Sequence, residues 1–454
     1  MERLGCMLIA GEASGDHLAA ELVAALRSAP MVRAMPFGPR FFGAGGPAMA
    51  AAGVECAFDL TEHAVVGLAE VLRHYATFRR IFNRMLELAG ERRPDVIILV
   101  DFSGFNRRFA RALRAACQRE RSRFGNWRPA IVQYVSPQVW ASRPGRAYAL
   151  AEDIDLLLSI FPFEKTWYAQ RIPKLRVEFV GHPVCERFAP GAALESAAGG
   201  EGGGKAAPAE GLSADPLVLL LPGSRERELR AHLPVMLEAA ALVSAPGAAQ
   251  PGRQAADSTA RRLRWRMVLP SDSLASLARE WVAREARHGA PHASEGSSGA
   301  GAGTGRAGGP IPGLEVRVGG LAESLAEAQL AIAASGTVTV ECAWFGVPTV
   351  VLYKTSWLTY QIARRIVSVK HLAMPNLLAG EAVYPEFIQD AAVPERVAAA
   401  AAELLWDEAR RASIRSKLAK LMTSLGGPGA SARAAQAVLS VLPGARPRAS
   451  RGLA

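Results

Sequence analysis

From residue 6 to residue 188 short, mainly apolar runs alternate with longer segments in which Ala, Leu and Arg recur at helical spacing. The runs cover 6–10, 40–43, 96–100, 131–135 and 156–159, and each ends in or runs directly into Gly, Asp or Ser. Strands that are apolar at nearly every position, rather than at every second one, are covered on both faces. Their alternation with helices predicts a parallel, doubly wound sheet. A second series follows at 217–221, 265–269, 314–318, 330–333 and 349–352. The pattern predicts an α/β chain with two Rossmann-like domains.

Residues 189–216, rich in Gly, Ala, Glu and Pro, lack any apolar period and predict a linker between a first domain at 1–188 and a second at 217–393. Two further low-complexity stretches, 244–261 and 288–313, interrupt the second domain as insertions remote from the chemistry. Residues 394–454 are expected as C-terminal helices and a basic tail. A length of 454 residues suits two cores better than one. Half the residues are hydrophobic and 21% are charged, which excludes a disordered or fibrous chain.

The net charge of +11 points to anionic partners: nucleotide, nucleic acid, phosphorylated substrate or membrane surface. Aromatics are only 7% and nowhere interleave with Arg as a single-strand platform requires, so nucleic acid is set aside. Five scattered cysteines without a C-x-x-C pair argue against a disulfide framework and a structural zinc, and suit a reducing cytosol. The apolar tract 329–353 carries Gly336, Glu341, Gly346 and Pro348, so any membrane contact is expected from the surface.

The chemistry-bearing motifs sit where predicted strands end. Gly11-Glu12-Ala13-Ser14-Gly15-Asp16 leaves the first strand and opens a helix near His17. Ser14, Gly15 and the free amides there could hold an anion or a sugar hydroxyl, although a tight turn with Ser14 or Asp16 as N-cap fits the residues as well. Gly43 to Pro47 reads as a similar turn after the second strand. Asp101, at the carboxyl end of 96–100, is a general-base candidate, with Asn106 following it. Ser136 and Trp140, with Arg143 and Arg146 just beyond, would suit a phosphorylated amphiphile. His182, between Gly181 and Pro183, either binds substrate or caps a hinge.

In the second series a strand runs into Gly223, Ser224 and Arg225, a geometry suited to a diphosphate, unless Arg225 is simply paired with Glu228. Ser335, Gly336 and Thr337 form a second strand-to-helix turn, and Glu341 lies one helical turn beyond Thr337. Amides and hydroxyls there suit phosphate, and the carboxylate suits the two hydroxyls of a ribose.

Taken together, the motifs at 11–16, 134–141, 163–165, 180–182, 221–225, 334–342 and Pro375-Asn376-Leu377-Leu378 resemble those of the lipid-A-disaccharide synthase family. The resemblance implies the GT-B architecture with an active site in the interdomain cleft. It implies an inverting hexosyltransferase of lipid A and lipopolysaccharide biosynthesis that joins UDP-2,3-diacylglucosamine to 2,3-diacylglucosamine 1-phosphate. It further implies no cofactor and no metal, a peripheral place on the anionic inner face of the cytoplasmic membrane, and leaves a homodimer open. By position, Asp101 and Arg225 carry the catalytic roles, Ser335 to Thr337 and Glu341 match the UDP turn, and Asn376 is expected near the nucleotide. The acyl chains are expected along residues 65–68 and Trp140. Many family members carry a second Asp where this chain has Gly104. The alternatives are another UDP-sugar enzyme of the same architecture, either a peptidoglycan N-acetylglucosaminyltransferase or a UDP-sugar 2-epimerase, and an inactive UDP-lipid-binding homologue.

Overall fold

A computed structural model describes residues 3–61, 68–120, 127–188, 215–245, 262–288, 311, 313–366 and 369–442. The linker from 189 to 214, most of both insertions, the basic tail and the side chains of 62–75, including the expected acyl surface, lie outside the described residues. The chain divides into two compact units, Met1–Ala189 with Ser424–Ala454, and Pro190–Thr423.

The first unit runs β1 (Gly5–Ala10), α1 (Ala13–Ser28), α2 (Pro30–Arg33), β2 (Arg40–Gly45), α3 (Pro47–Ala51), β3 (Glu55–Asp59), α4 (Leu68–Arg92), β4 (Val96–Val100) and α5 (Ser103–Glu120). It continues with β5 (Ala130–Tyr134), α6 (Arg146–Asp153), β6 (Leu156–Ser159), α7 (Pro162–Arg171), β7 (Val177–Phe179) and α8 (Val184–Arg187). Its seven strands lie in the order β3-β2-β1-β4-β5-β6-β7, and every pair is parallel. Every residue of β4 and β5 is buried, as coverage on both faces demands.

The second unit runs β8 (Leu217–Leu221), α9 (Glu226–Ser244), β9 (Arg264–Leu269), α10 (Asp272–His288), β10 (Glu315–Val318), α11 (Leu321–Glu327), β11 (Leu330–Ala334), α12 (Val338–Trp344) and β12 (Thr349–Tyr353). It closes with α13 (Trp357–Ile366), α14 (Met374–Ala379), β13 (Glu386–Ile388), a short 3-10 turn (Gln389–Ala391), α15 (Pro394–Trp406) and α16 (Glu408–Ser424). Its sheet is again parallel, in the order β10-β9-β8-β11-β12-β13.

The last helix, α17 (Ala430–Leu439), belongs to the first unit, so the C-terminal helices expected together divide between the two. Leu425 O accepts the N–H of His182 at 2.9 Å, and Arg433 of α17 donates to the carbonyls of Val180, Gly427 and Pro428. Gly181 has φ +93°, and a Cβ there would lie 2.4 Å from the Arg433 guanidinium, so glycine lets this staple close.

Two local expectations need correction. Gly43 to Gly45 belong to β2 rather than to a turn, and a Cβ on Gly43 would lie 1.8 Å from Leu8 O on the paired strand. Helix α1 begins at Ala13 rather than near His17, with Glu12, not Ser14 or Asp16, at the N-cap.

Candidate active site

In each sheet the strand order reverses once, between β1 and β4 and between β8 and β11. Loops leaving the carboxyl ends of strands at such a reversal diverge and open a crevice, which is where ligands settle in doubly wound sheets. Ala10 pairs with Val100, and Leu221 pairs with Ala333, so the four loops that follow start side by side in their own sheets. They carry most of the residues that the sequence singles out.

In the first unit Gly11 and Gly15 are buried against the loop after β4. A Cβ on Gly11 would meet the Phe102 ring at 2.3 Å, and one on Gly15 would lie 3.5 Å from Asp101 Cβ. Glycine thus lets the two loops touch, while Ser14 stays exposed on the first turn of α1. Asp16 is only 2% exposed and accepts N–H bonds from Gly46, Ala48 and Met49 at 2.7, 2.8 and 3.1 Å. It caps α3 instead of its own helix and fixes the neighbouring loop.

Asp101 and Phe102 both sit in the left-handed region, at φ +47° and +42°, as does Val135 at φ +68° after the adjacent strand β5. Each such residue costs on the order of 1–3 kcal/mol and persists only where the surroundings impose it. Two buried carboxamides do so here. Gln133 Nε2 lies 3.2, 3.4 and 3.1 Å from the carbonyl oxygens of Asp101, Tyr134 and Val135. Asn106, at 0% exposure, donates to Val100 O at 3.3 Å and to Asp101 O at 2.5 Å. Asn106 therefore holds the Asp101 loop from beneath, through its backbone. Gly104 lies on the first turn of α5, and a Cβ there would stand in open space.

Beyond β5, Trp140 donates its indole N–H to Glu164 Oε1 at 2.8 Å, and Ser159 donates to Glu164 Oε2 at 2.5 Å. Ser136, 3.2 Å from the Tyr168 hydroxyl, also hydrogen-bonds this carboxyl. Glu164 is 1% exposed, and burial outweighs its donors and lifts it to about 6. Ser136 and Trp140 are thus joined by a buried acid. His182 stacks near Phe161, with centroids 5.4 Å apart, and its Nδ1 accepts the Val184 N–H at 3.1 Å. Burial, and then the Arg187 charge, pull it down to about 3, so the ring is neutral with its proton on Nε2.

In the second unit Gly223 has φ +125° and leaves room for the Glu228 side chain, which a Cβ would meet at 2.6 Å. Glu228 reaches back to accept the Ser224 N–H at 2.9 Å and lies 3.4 Å from Arg225, whose side chain is 45% exposed. The pairing read from the sequence as the alternative is present, and it aims Arg225 from the N-cap of α9. Gly336 and Thr337 are exposed, Ser335 and Glu341 half-buried. Ser335 donates to Leu372 O at 3.1 Å. Glu386 takes the N–H groups of Leu372 and Ala373 at 3.0 and 2.8 Å, and Asn376 donates to Glu386 Oε1 at 2.7 Å. Asn376 also exchanges two bonds of 2.7 Å with the Tyr384 backbone and is 0% exposed, so it braces this turn from within.

The structure adds supporting residues whose roles no local motif marks. Besides Gln133 and Glu164, His232 is 1% exposed, its Nδ1 2.8 Å from Pro222 O and its Nε2 accepting the Lys354 N–H at 3.0 Å. It ties the Arg225 loop to the one after β12, and burial keeps it neutral. A His seven residues into a helix pattern carries no local sign of that contact. Glu164 stands in the Phe163-Glu164-Lys165 motif, but only its burial reveals what it does.

Among solved structures the chain is similar to a UDP-N-acetylglucosamine 2-epimerase from Listeria monocytogenes, with a TM-score of 0.57, 15% identity and 97% of each chain covered. It is also similar to the calicheamicin glycosyltransferase CalG4, with a TM-score of 0.52 and 15% identity over 98% of this chain and 100% of that one. These set the fold: two Rossmann-like domains of the GT-B kind. The sequence is more specific. It is 35% identical to lipid-A-disaccharide synthase from Geobacter metallireducens, covering 96% of this chain and 97% of the relative, and 36% identical to that from Myxococcus xanthus, covering 97% and 98%. The family model described as lipid-A-disaccharide synthetase matches residues 6–247 and 318–441, which hold both switch points and leave out the second insertion. With its motif residues lining the strand ends of both sheets and its relatives matching nearly end to end, the chain belongs to the lipid-A-disaccharide synthase family.

Proposed function

We propose that the protein transfers the diacylglucosaminyl group of UDP-2,3-diacylglucosamine to the 6-hydroxyl of 2,3-diacylglucosamine 1-phosphate. The observation that carries this reading is the placement of Asp101 at one switch point and of Arg225 with 335–337 at the other, in a chain of this family. In a single displacement the acceptor oxygen attacks the anomeric carbon, its proton passes to Asp101, and the bond from that carbon to the diphosphate oxygen breaks. UDP departs carrying the charge. The amides of the exposed Gly336 and Thr337 and the Arg225 guanidinium stabilise it, where donors already in position are worth most. Glu341 serves the ribose, Trp140 and His182 flank the acceptor side, and Glu228 holds Arg225 ready. Gly104 leaves the Asp101 loop fully held, which favours turnover over an inactive binding homologue.

Both substrates carry acyl chains, so the reaction belongs at a membrane surface. No described helix is long and apolar enough to cross a membrane. The net charge of +11 suits the anionic inner face of the cytoplasmic membrane, where we place the enzyme as a peripheral protein, with a homodimer as its assembly to be measured. The test is UDP release from the two diacylated substrates. The parent should release UDP only with both present, and Asp101→Ala should lose about 10²–10⁴ in kcat while still binding UDP. Parental turnover by Asp101→Ala would end the base assignment. UDP release only with a peptidoglycan precursor as acceptor would replace the reaction.

A further inference from the structure

Three arginines lie beside the Asp101 loop on the edge of the first sheet where the strands end. Tyr134, the last residue of β5, pairs with Val100, and the loop it opens carries Arg143 and leads into α6 at Arg146. Arg107 stands on α5, whose backbone climbs roughly 6 Å from Ser103 to that residue. Arg143 and Arg146 are exposed and Arg107 half-buried, and Arg143 is held left-handed at φ +58°.

Acids do not neutralise this group. Among the described residues no carboxylate lies within ion-pair distance of Arg107, Arg143 or Arg146. Besides Asp101, the acids of this region are Glu152 and Asp153 at the far end of α6, and Asp153 is faced first by Arg111, then by Arg114, and least by Arg107. Arg114 is spent on Asp155 and on the carbonyls of Asp153 and Pro129. After desolvation, the positive fields of Arg143 and Arg107 lower Arg146, so the three cations are close enough to repel. Uncompensated like charges beside a candidate base call for an anion from outside, and the guanidinium fork matches a phosphate monoester with up to two negative charges.

We propose that Arg107, Arg143 and Arg146 form the binding site for the 1-phosphate of the acceptor sugar. The inference rests on the reaction proposed above. In that acceptor C1, which bears the phosphate, and C5, which bears the attacking 6-hydroxymethyl, flank the ring oxygen, so the two groups leave the ring at separate points. An anion site displaced from Asp101 toward the β5 loop therefore turns the hydroxyl to the base and excludes sugars without the phosphate.

The test compares UDP release with diacylglucosamine 1-phosphate and with the same lipid bearing a free 1-hydroxyl, in the parent and in Arg143→Gln/Arg146→Gln. The ratio of kcat/KM for the two acceptors should fall at least tenfold through acceptor KM, with donor KM unchanged. Arg111→Gln, on the same helix but turned to Asp153, should keep the parental ratio. Equal losses on both acceptors, or a rise in donor KM, would overturn the proposal. Direct binding of diacylglucosamine 1-phosphate by calorimetry separates the two claims. Arginine-dependent binding in an enzyme that never releases UDP would keep the site and remove the reaction, and binding indifferent to both substitutions would remove the site. Loss of sedimentation with phosphatidylglycerol vesicles at an unchanged acceptor ratio would give the arginines to the bilayer and defeat the assignment.

Discussion

At the first switch point the polar side chains turn inward. Asp16, Asn106 and Gln133 are each at most 2% exposed, and every one is bound to backbone groups of a neighbouring loop. At the second, Ser224, Arg225, Gly336 and Thr337 face solvent, and the bracing is delegated to Glu228, His232, Asn376 and Glu386 one layer below. The same sheet topology thus supports two devices. A base must stand at one point with little freedom, and the left-handed backbone at Asp101 is tolerable because two carboxamides fix its carbonyl. A diphosphate site needs unspent amides, here those of Gly336 and Thr337, and a cation able to reach its ligand.

The largest effect expected from this contrast is at Arg225. Arg225→Ala should lower kcat by about 10²–10³, as removal of one preorganised donor to a departing charge does. Its exposed pair with Glu228 contributes about 0–1 kcal/mol, so the melting temperature should hardly move. Parental UDP release by this variant would show that the exposed turn is not where the diphosphate sits.

Much of this arrangement was legible in the chain. Strands β4, β6 and β8 fall where the apolar runs put them, because a strand covered on both faces advertises itself by composition. The strands not foreseen, β3 and β13, are both sheet edges, where one side meets solvent and the apolar run is broken by Glu55 and Glu386. The loops were legible for the same reason as the strands they leave. Gln133 was not: a lone amide in an apolar strand looks like a defect until the three carbonyls around it are in place. Nor does any spacing show that Asn376 turns inward onto Tyr384.

Next in size is the glycine on which the first device depends. Gly11→Ala puts a methyl 2.3 Å from the Phe102 ring, next to the left-handed Asp101. Overpacking of this kind costs about 1–3 kcal/mol. The melting temperature should fall by roughly 2–4 °C for each kcal/mol, and kcat should fall with it as the base shifts. Unchanged kcat in a destabilised variant would separate the packing of this loop from the position of Asp101.

Glu164 tests whether the inward-facing network is electrostatically costly. Burial raises its carboxyl from 4.5 to about 6. An acid that keeps its proton longer when folded contributes most below its unfolded value, and loses that contribution as pH rises through 4.5 to 6. The loss amounts to about 2 kcal/mol. Glu164→Gln keeps an acceptor for Trp140 and removes the titration, so its unfolding free energy relative to the parent should climb by about 2 kcal/mol between pH 4 and 7. Denaturant titrations giving a flat difference would mean that Ser159, Trp140 and Ser136 offset the desolvation completely.

The smallest stability effect belongs to the mirror experiment at the second switch point. A Cβ on Gly336 meets nothing within 4 Å, and the residue is exposed. Gly336→Ala should therefore stay within about 0.5 kcal/mol of the parent, as surface substitutions do. What it should change is the surface offered to the donor. One methyl between a phosphate and the backbone it approaches should raise donor KM about tenfold and leave acceptor KM alone. A loss of melting temperature like that of Gly11→Ala would show that this turn is locked as tightly as the Asp101 loop, and the division into a fixed base and an open diphosphate turn would fall.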